Sequence, residues 1–534
     1  MSNSEIKKES SLKVKTYVFV KFFFVVAGWT GLSRVSGVIR EMLFVNIFGI
    51  SLFSDVYTIA IKLPNFFRRF FAEGALNAVL VPRFSGLVAA SDDEGLRNFA
   101  KQILSVIAVG LLLFVIFFEM AMPMVVKVIA PGFKNNYDVY TNIVHFARIM
   151  FPYIWFISIV AMMNGLLNSL NHFSWPSAIS IVLNAITIAT LIIGKLYEKS
   201  LPLSTVMHLL SYSILVGGII QCAILWGNCR KNGVPLAITR PKITPEIKQV
   251  LLAAIPGIIG ASVLQINIFI DIAFASTLPI GAVSYLNFAD RLNQLPISLF
   301  GAALGTTLLP SLSQYWRNND RAGANLVQNK AITFGLAFVL PATIGLFILA
   351  EPIVALLYGH GKFDSRAVTQ TMLALKAYSL GIPSYVLTKV FSAIFFANRD
   401  TKTPVIIAAT SVALNIVLNY ILKELYAHVG IATATTIASV VNAVISGTVL
   451  FSRDLLKFEA VDCANIVKTI IASLIMGGIV YFVFSKVSFY TSGKATFFYE
   501  LLCTGLPILC GIVSYALLVY KLKILDRVVG KDLQ

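Results

Sequence analysis

Long apolar runs constrain this chain more than any other feature of its sequence. A helix needs roughly 20 mostly apolar residues to cross the hydrocarbon core of a bilayer. Runs of that length recur along the whole chain and predict an all-α polytopic membrane protein with about 14 transmembrane helices. The predicted spans lie near residues 17–39, 42–63, 99–122, 141–167, 175–195, 206–228, 249–276, 281–310, 328–350, 368–396, 403–422, 430–451, 465–486 and 498–521.

The composition excludes a soluble protein. Only 13% of the residues are charged, whereas a soluble domain carries roughly 25%. A net charge of +18 would suggest nucleic-acid binding in a soluble chain. Here the Lys and Arg residues stand mainly between apolar runs, as the positive-inside rule predicts, so no nucleic acid is expected as a partner.

Nothing in the sequence is typical of an enzyme. The five cysteines and five histidines are scattered without metal-ligand spacing. The chain has no HExxH, P-loop or GxSxG motif, so covalent and metal-hydrolytic chemistry are not expected.

The basic residues also predict the orientation. The loops that follow even-numbered spans are rich in Lys and Arg, among them Arg83, Arg240 and Arg317, and the opposite loops, with Lys134 and Lys362, hold fewer. Because basic loops stay in the cytoplasm, both termini are predicted to be cytoplasmic. The polar, basic N-terminus is typical of a cytoplasmic tail before a retained helix rather than a cleaved signal.

An internal repeat divides the first twelve spans. Asn184 has a counterpart in Asn415, and three further matches share nearly the same offset. These matches are residues 74–82 with 302–310, Pro152 with Pro383, and Pro176 with Pro404. Two parallel six-helix repeats are predicted, an N-lobe over 1–230 and a C-lobe over 231–455, with two further helices over 456–534. Transporters of this build hold their substrate between the halves.

Charged residues interrupt the first, second and eighth spans. Each costs roughly 2.5–3.5 kcal/mol at a helix centre, so such residues normally face a cavity or a partner. The charges from Arg34 to Glu41 are expected to close the first helix, and the segment from Leu63 to Pro82 to extend the second. The interrupting residues are Arg34, Arg40, Glu41, Asp55, Lys62, Arg68, Arg69, Glu73, Asp290 and Arg291, with Asn65 beside them.

The cations in this set outnumber the anions. Ion pairs that staple helices, such as Arg69 with Glu73 one turn apart, are the alternative interpretation. An arginine in a wet cavity instead suits a phosphate, which its planar fork grips with two hydrogen bonds. The excess of cations therefore favours an anionic, phosphate-bearing substrate.

Several of these residues stand in strings that resemble a known family. The strings are Ser33-Arg34-Val35-Ser36-Gly37, Lys62-Leu63-Pro64-Asn65 with Arg68-Arg69, Phe71-Ala72-Glu73-Gly74-Ala75, Ala289-Asp290-Arg291-Leu292, Gly301-Ala302-Ala303-Leu304-Gly305 and Leu309-Pro310-Ser311. Together they resemble the MurJ (MviN) family of bacterial lipid II flippases, and the resemblance runs through all fourteen predicted spans.

The resemblance implies the fold of the multidrug/oligosaccharidyl-lipid/polysaccharide exporter superfamily, two six-helix lobes in a V. It implies a cationic cavity for the pyrophosphate and sugar head group, lined by Arg34, Arg40, Arg68 and Arg291. Arg69 is included as a head-group residue, and Glu41, Asp55, Lys62, Asn65, Glu73 and Asp290 as cavity or gating residues. The family usually has Asp where this chain has Glu41, which leaves the gating role of Glu41 open.

The resemblance further implies two features of the later helices. Some family members bind sodium in the second lobe, at positions that match Asp271, Asn415, Asn419 and Thr435. One carboxylate with amide and hydroxyl oxygens suits a hard cation, and a buried Asp hydrogen-bonded to Asn is the alternative. No other cofactor is expected. The last two helices either pack against the C-lobe or form a groove for the lipid's polyprenyl tail.

The sequence thus predicts a flippase, not an enzyme. It would carry lipid II from the inner to the outer leaflet of the bacterial cytoplasmic membrane by alternating access, with membrane lipids and the cell-wall synthesis machinery as partners. The nearest alternative is an exporter of the same fold for O-antigen-type lipid-linked sugars or drugs, although the arginines argue against cationic drugs. A membrane glycosyltransferase would need an acidic loop for its metal and nucleotide sugar, and this chain has none in its sequence. A purely structural role would not explain so many charged residues within the spans.

Overall fold

A computed structural model describes residues 28–68, 75–491 and 497–526 of this chain. In 75–78, 256–264, 299–307 and 491 the description covers the backbone alone. Arg69 and Glu73, two of the predicted site residues, lie outside the described residues. The described chain is helical and contains no β-strand, so the all-α prediction is confirmed.

Seventeen α-helices follow one another along the described residues. Helix α1 covers 28–48. The others are α2 Leu52–Arg68, α3 Ala75–Ala89, α4 Asp93–Ile129, α5 Tyr137–Met150, α6 Tyr153–Ser169, α7 Ser174–Leu196, α8 Leu203–Lys231, α9 Pro245–Ala275, α10 Ala282–Arg317, α11 Arg321–Ile348, α12 Ala350–Tyr358, α13 Ser365–Ser379, α14 Ile382–Ala397, α15 Lys402–Ser452, α16 Ala460–Thr491 and α17 Phe497–Lys521.

Nine helical segments among the described residues are long and apolar enough to cross a membrane. One of them, α15, holds two predicted spans, because its backbone leaves the helical conformation at Ala427 (φ 49°, ψ −131°). A side chain at Gly430 would overlap the Leu422 carbonyl in this tight turn. The chain is therefore a multi-pass membrane protein.

The described parts of the other four predicted spans lie in α1, α2, α9 and α10, and residues 17–27 of the first span lie outside the described residues. Charged residues interrupt α1, α2 and α10, the three spans that the sequence marks as irregular. The centre of α9 is described by its backbone alone.

The predicted boundary between the first two helices is wrong. The charges at Arg40 and Glu41 do not close α1, which continues to residue 48. The chain turns instead at Gly49, whose positive φ of 55° is accessible to glycine at little cost. Arg40 stays inside the helix because α7 supplies it with a hydrogen-bond partner, as described below.

The described chain forms two compact units. The first contains the described residues up to Phe48 and Leu52–Gln265, and the second contains Gly49–Ser51 and the described residues from Ile266 onwards.

Helix caps and turns confirm the internal repeat. Asp92 caps α4 by accepting a hydrogen bond from the Gly95 amide (2.8 Å), and 228 residues later Asp320 caps α11 through the Gly323 amide (2.8 Å). Asn136 and Asp364, again 228 apart, cap α5 and α13. The fourth and tenth predicted spans are each broken into two helices, α5 with α6 and α13 with α14, at the repeated prolines Pro152 and Pro383.

Each unit has its own apolar interior. In the second unit, Leu312 of α10, Val339 of α11 and Ile394 of α14 are completely buried in one cluster. Other helix faces are apolar yet exposed, such as Leu113 and Phe117 on α4. Exposed apolar faces of this extent are expected where helices contact lipid.

Candidate substrate and cation sites

The segment 33–37 of α1 is joined to α7 by hydrogen bonds from one asparagine, Asn184. The Asn184 amide nitrogen donates to the Ser33 carbonyl (3.0 Å) and to the Ser36 hydroxyl (2.9 Å). The Ser36 hydroxyl also donates to the Ser33 carbonyl (2.9 Å). Gly37 lies beside this contact, and a Cβ there would meet the Asn184 amide nitrogen at an ordinary van der Waals distance of 3.8 Å.

The oxygen of the same amide orients a cation. Arg40 donates from its guanidinium to Asn184 Oδ1 (3.0 Å). This contact is neutral on the asparagine side, so it orients the guanidinium without cancelling its charge. Arg34, one and a half turns earlier on α1, has an exposed side chain. The first unit thus orients the cationic side chain of Arg40 on α1 by means of a polar, uncharged contact.

The second helix adds one anion and further cations to the first unit. Asp55 lies near the start of α2 and is almost completely buried (1% exposed). Lys62, Asn65 and Arg68 follow on the same helix with partly buried side chains. Arg68 donates to Asn65 Oδ1 (3.3 Å), one turn earlier. This hydrogen bond orients Arg68 at the end of α2.

On α10 of the second unit, the adjacent site residues Asp290 and Arg291 have different surroundings. Asp290 accepts a hydrogen bond from the Gln294 amide one turn later (2.5 Å). The adjacent Arg291 has an exposed side chain. Asp290 is therefore bonded along its own helix, while the guanidinium of Arg291 is accessible.

The four residues matched to a sodium site come together in the second unit. Asp271 of α9 accepts hydrogen bonds from Asn419 Nδ2 (2.9 Å) and from the Thr435 hydroxyl (2.9 Å). Asn419 Nδ2 also donates to Asn415 Oδ1 (2.9 Å). The asparagines belong to the first half of α15 and Thr435 to the second, so the break at Ala427 brings both halves to one carboxylate.

Sequence reasoning missed a fifth member of this cluster, Asn267. In the opposite orientation of the Asn415 amide, its nitrogen donates to Asn267 Oδ1 (3.0 Å) and to Asp271 Oδ1 (3.2 Å), and its oxygen accepts from the Thr435 backbone amide (3.3 Å). This orientation replaces the hydrogen bond from Asn419 Nδ2 to Asn415 Oδ1. Such amide orientations are assigned from the hydrogen-bond network. Helical spacing could have identified it in the sequence, since Asn267 stands one turn before Asp271 on α9 and faces the same side.

This cluster suits a hard monovalent cation. The Oδ1 atom of Asn419 is buried and lacks a hydrogen-bond partner among the described residues, which is costly unless something else binds it. Together with the Asp271 carboxylate and the Thr435 hydroxyl it offers the oxygen ligands that such ions prefer. Within the described ranges, His, Cys, Asp and Glu do not form a group of three or more that could hold a metal ion.

Comparison with known proteins places the chain in a family. The model of the family "Lipid II flippase MurJ" matches residues 44–500. A protein of Rhizobium meliloti named "Probable lipid II flippase MurJ" is 37% identical over 502 residues, which are 94% of this chain and 92% of that protein.

Solved structures agree with the sequence match. A lipid II flippase MurJ in an inward closed conformation matches with a TM-score of 0.73 and 27% identity, over 93% of this chain and 98% of that one. An inward-facing multidrug transporter of the wider superfamily shares the fold, with a TM-score of 0.59 and 15% identity over 80% and 94% of the two chains. The chain belongs to the lipid II flippase MurJ family.

Proposed function

We propose that this protein moves lipid II from the inner to the outer leaflet of the bacterial cytoplasmic membrane by alternating access, for peptidoglycan synthesis. The observation that carries this proposal is the family match across residues 44–500. The cationic α1 of the first unit supports it, because lipid II bears a pyrophosphate. In this role the protein is a transporter and not an enzyme.

The head group is bound by guanidinium groups. A guanidinium can donate two parallel hydrogen bonds to a phosphate, and such charge-assisted pairs are the strongest that proteins make. The residues assigned to this role are Arg34, Arg40, Arg68, Arg69 and Arg291. The contact from Asn184 to Arg40 supports the assignment, since a neutral partner orients the cation and leaves its charge for the substrate.

Acidic and polar residues beside these cations adjust the cavity and its gating. A carboxylate near a guanidinium competes with the substrate for it, so making or breaking that pair couples substrate binding to movement. The residues assigned to this role are Glu41, Asp55, Lys62, Asn65, Glu73 and Asp290.

A sodium ion is held by Asp271, Asn415, Asn419 and Thr435. When bound, the ion neutralises the Asp271 carboxylate. The orphaned Oδ1 of Asn419 supports the assignment, because a cation would supply its missing partner. In the absence of the ion, the amides and the Thr435 hydroxyl stabilise the carboxylate by hydrogen bonds.

The last two helices, in the segment 456–534 that follows the lobes at 1–230 and 231–455, bind the polyprenyl tail. One side of them packs on the other helices of the second unit, where Asn329 of α11 donates to the buried Asp462 of α16 (2.8 Å). Leu474 on α16 and Leu509 on α17 are exposed, so apolar surface remains for a lipid chain. Leu509→Gln should weaken binding of long-tailed but not of short-tailed substrate. Leu113→Gln on α4 is the control.

Both termini are cytoplasmic in this proposal. Single cysteines at Lys134 and Arg240 should label from opposite sides of intact cells, Lys134 from the outside. Labelling of both from one side contradicts the topology. Membrane lipids surround the protein, the cell-wall synthesis machinery uses its product, and nucleic acid is not a partner.

Depletion in the host tests the function itself. When the protein is removed, lipid II should accumulate in the inner leaflet, as measured by leaflet-specific labelling of the head group. Unchanged distribution contradicts the proposal. An exporter of other lipid-linked oligosaccharides or of drugs is the alternative, and it predicts that a different lipid accumulates or that drug resistance falls. The relatives named as lipid II flippases do not favour it.

A further inference from the structure

Helix α14 of the second unit carries a lysine, Lys389, to which the proposed function assigns no role. Lys389 lies eight residues before Ala397, where the helix ends. At 1.5 Å per residue this is roughly 12 Å along the helix axis, within the apolar part of a membrane-spanning segment. An ionisable residue at this depth is costly and normally marks a functional site.

Lys389 belongs to a strip that the neighbouring helices leave uncovered. Val386, Val390 and Ile394 point the other way and are buried against α10 and α11. The strip follows the helical spacing of one face. Its members, Tyr385, Thr388, Lys389, Ser392 and Phe396, are partly or fully exposed.

The strip is polar, unlike the exposed faces that contact lipid. Four of its five residues bear a hydroxyl or an ammonium group. Exposed faces elsewhere in the spans are largely apolar, with residues such as Val417 and Ile421 on α15. Because polar side chains avoid hydrocarbon, this strip faces water. The strip runs from Tyr385, in the first turn of α14, towards the C-terminal end of the helix.

The ammonium group of Lys389 has no hydrogen-bond acceptor or carboxylate within reach among the described residues. Helix α13, the other half of the same predicted span, provides a contrast, because the ammonium group of Lys376 lies over the Phe347 ring (5.7 Å). A compact cation in a wet, largely apolar setting suits a phosphate, which it attracts as a point charge.

We propose that Lys389 and the hydroxyl groups beside it form a phosphate-binding site on the second unit, which receives the pyrophosphate of lipid II. The inference rests on the proposed function and extends it, since the site lies outside the arginine set. Lys389 is a further contact for the head group, and the strip gives that group a polar path along α14.

The test measures lipid II binding to the purified full-length protein in vesicles of neutral phosphatidylcholine. Lys389→Gln should weaken binding about tenfold, because a charge-assisted contact to the phosphate is lost. Lys389→Arg should keep at least half of the affinity, and Lys376→Gln should bind normally. Thermal unfolding of each variant reports folding. Lys389→Met, which keeps most of the side-chain volume, replaces Lys389→Gln if that variant unfolds.

Two further arms identify the ligand. A polyprenyl diphosphate without sugar or peptide should show the same tenfold loss. If only intact lipid II is affected, Lys389 contacts another anionic group and the phosphate assignment fails. If the loss appears only when anionic phosphatidylglycerol is added, Lys389 binds a membrane lipid and the proposal is overturned. Normal binding by Lys389→Gln in all vesicles overturns it as well.

Arg34→Ala separates this inference from the function on which it rests. If Arg34→Ala loses lipid II binding while Lys389→Gln does not, only the site on α14 is wrong. If neither variant affects binding, or the unmodified protein does not bind lipid II, the proposed function fails.

Discussion

The two repeats use the same asparagine for opposite purposes. Asn184 in the first unit joins α7 to α1 and directs its oxygen to Arg40. Its repeat partner Asn415 in the second unit lies in a cluster around the carboxylate of Asp271. A side-chain amide carries both a donor and an acceptor. The same repeat position can therefore orient a cation in the first unit and hydrogen-bond near a carboxylate in the second.

This difference shows how the two halves of a repeated helix bundle can come to suit different ligands. The charge that the amide faces decides what each unit can bind. A cation held by neutral contacts attracts a phosphate, whereas a carboxylate surrounded by amide and hydroxyl oxygens attracts a metal cation. At this repeated position, the surroundings of the first unit's asparagine therefore suit a phosphate and those of the second unit's asparagine suit a metal cation.

The largest effect in the second unit is expected from Asp271→Ala. Without the carboxylate, the amides and the Thr435 hydroxyl bind sodium too weakly, since a contact with a charged group contributes about 1.5–3 kcal/mol. Lipid II transport into vesicles should fall at least tenfold and should no longer differ between sodium and potassium buffers. The control Asp400→Asn, outside the spans, should keep the sodium response. Full sodium dependence in Asp271→Ala removes the ion from this cluster.

Substituting the paired asparagines tests the comparison directly. Asn184→Ala deprives Arg40 of its partner, so half-saturation should require several-fold more lipid II at every sodium concentration. Asn415→Ala should instead raise the sodium concentration needed for half-maximal transport and leave the lipid II requirement unchanged. If both variants shift the same requirement, the two positions do not serve different ligands.

The smallest effect is expected where the paired units differ at the surface. Asp400, before α15, accepts hydrogen bonds from the Thr403 hydroxyl (2.6 Å) and from Arg453 (2.7 Å). Desolvation raises the pKa of Asp400, but these bonds outweigh it and hold the pKa below its ordinary value. The first unit has the exposed His172 at the corresponding position, 228 residues earlier.

A lowered pKa in the folded state stabilises the protein above the ordinary Asp pKa of about 3.9, and the benefit is lost as the pH falls through the folded value. Asp400→Asn should therefore lower the Tm by a few degrees at pH 7 and by less near pH 4. His172→Ala should change the Tm at neither pH. Equal effects of the two substitutions at pH 7 would show that the capping contacts at Asp400 add nothing.

Much of the fold could be predicted because apolar runs and repeated prolines have direct structural causes. Pro152 and Pro383 mark helix breaks, and Asp92 and Asp320 cap helices through local hydrogen bonds. The end of α1 could not be predicted from local sequence, since the partner that Arg40 finds inside the helix, Asn184, is 144 residues away.

The sites were predictable to different degrees. Asp271, Asn415 and Thr435 were matched through the family resemblance, and no local pattern relates them, since they are distant in sequence. Asn267 stands one turn from Asp271 and could have been found by helical spacing. Lys389 was missed because a lysine near the end of an apolar run is also typical of a membrane boundary. Its exposed polar strip is visible only when the buried face of α14 is known.

The central claim is that the arginines bind the substrate rather than staple helices. Transport and membrane abundance should be measured together for Arg34→Ala, Arg34→Lys, Arg291→Ala, Arg291→Lys and the double variant Arg291→Ala with Asp290→Asn. Lysine keeps the charge but loses the two-pronged grip on a phosphate. We expect each alanine variant to lose transport at normal abundance, each lysine variant to keep part of it, and the double variant to remain inactive. Low abundance of Arg291→Ala, restored together with transport in the double variant, would contradict substrate binding and establish an ion pair instead.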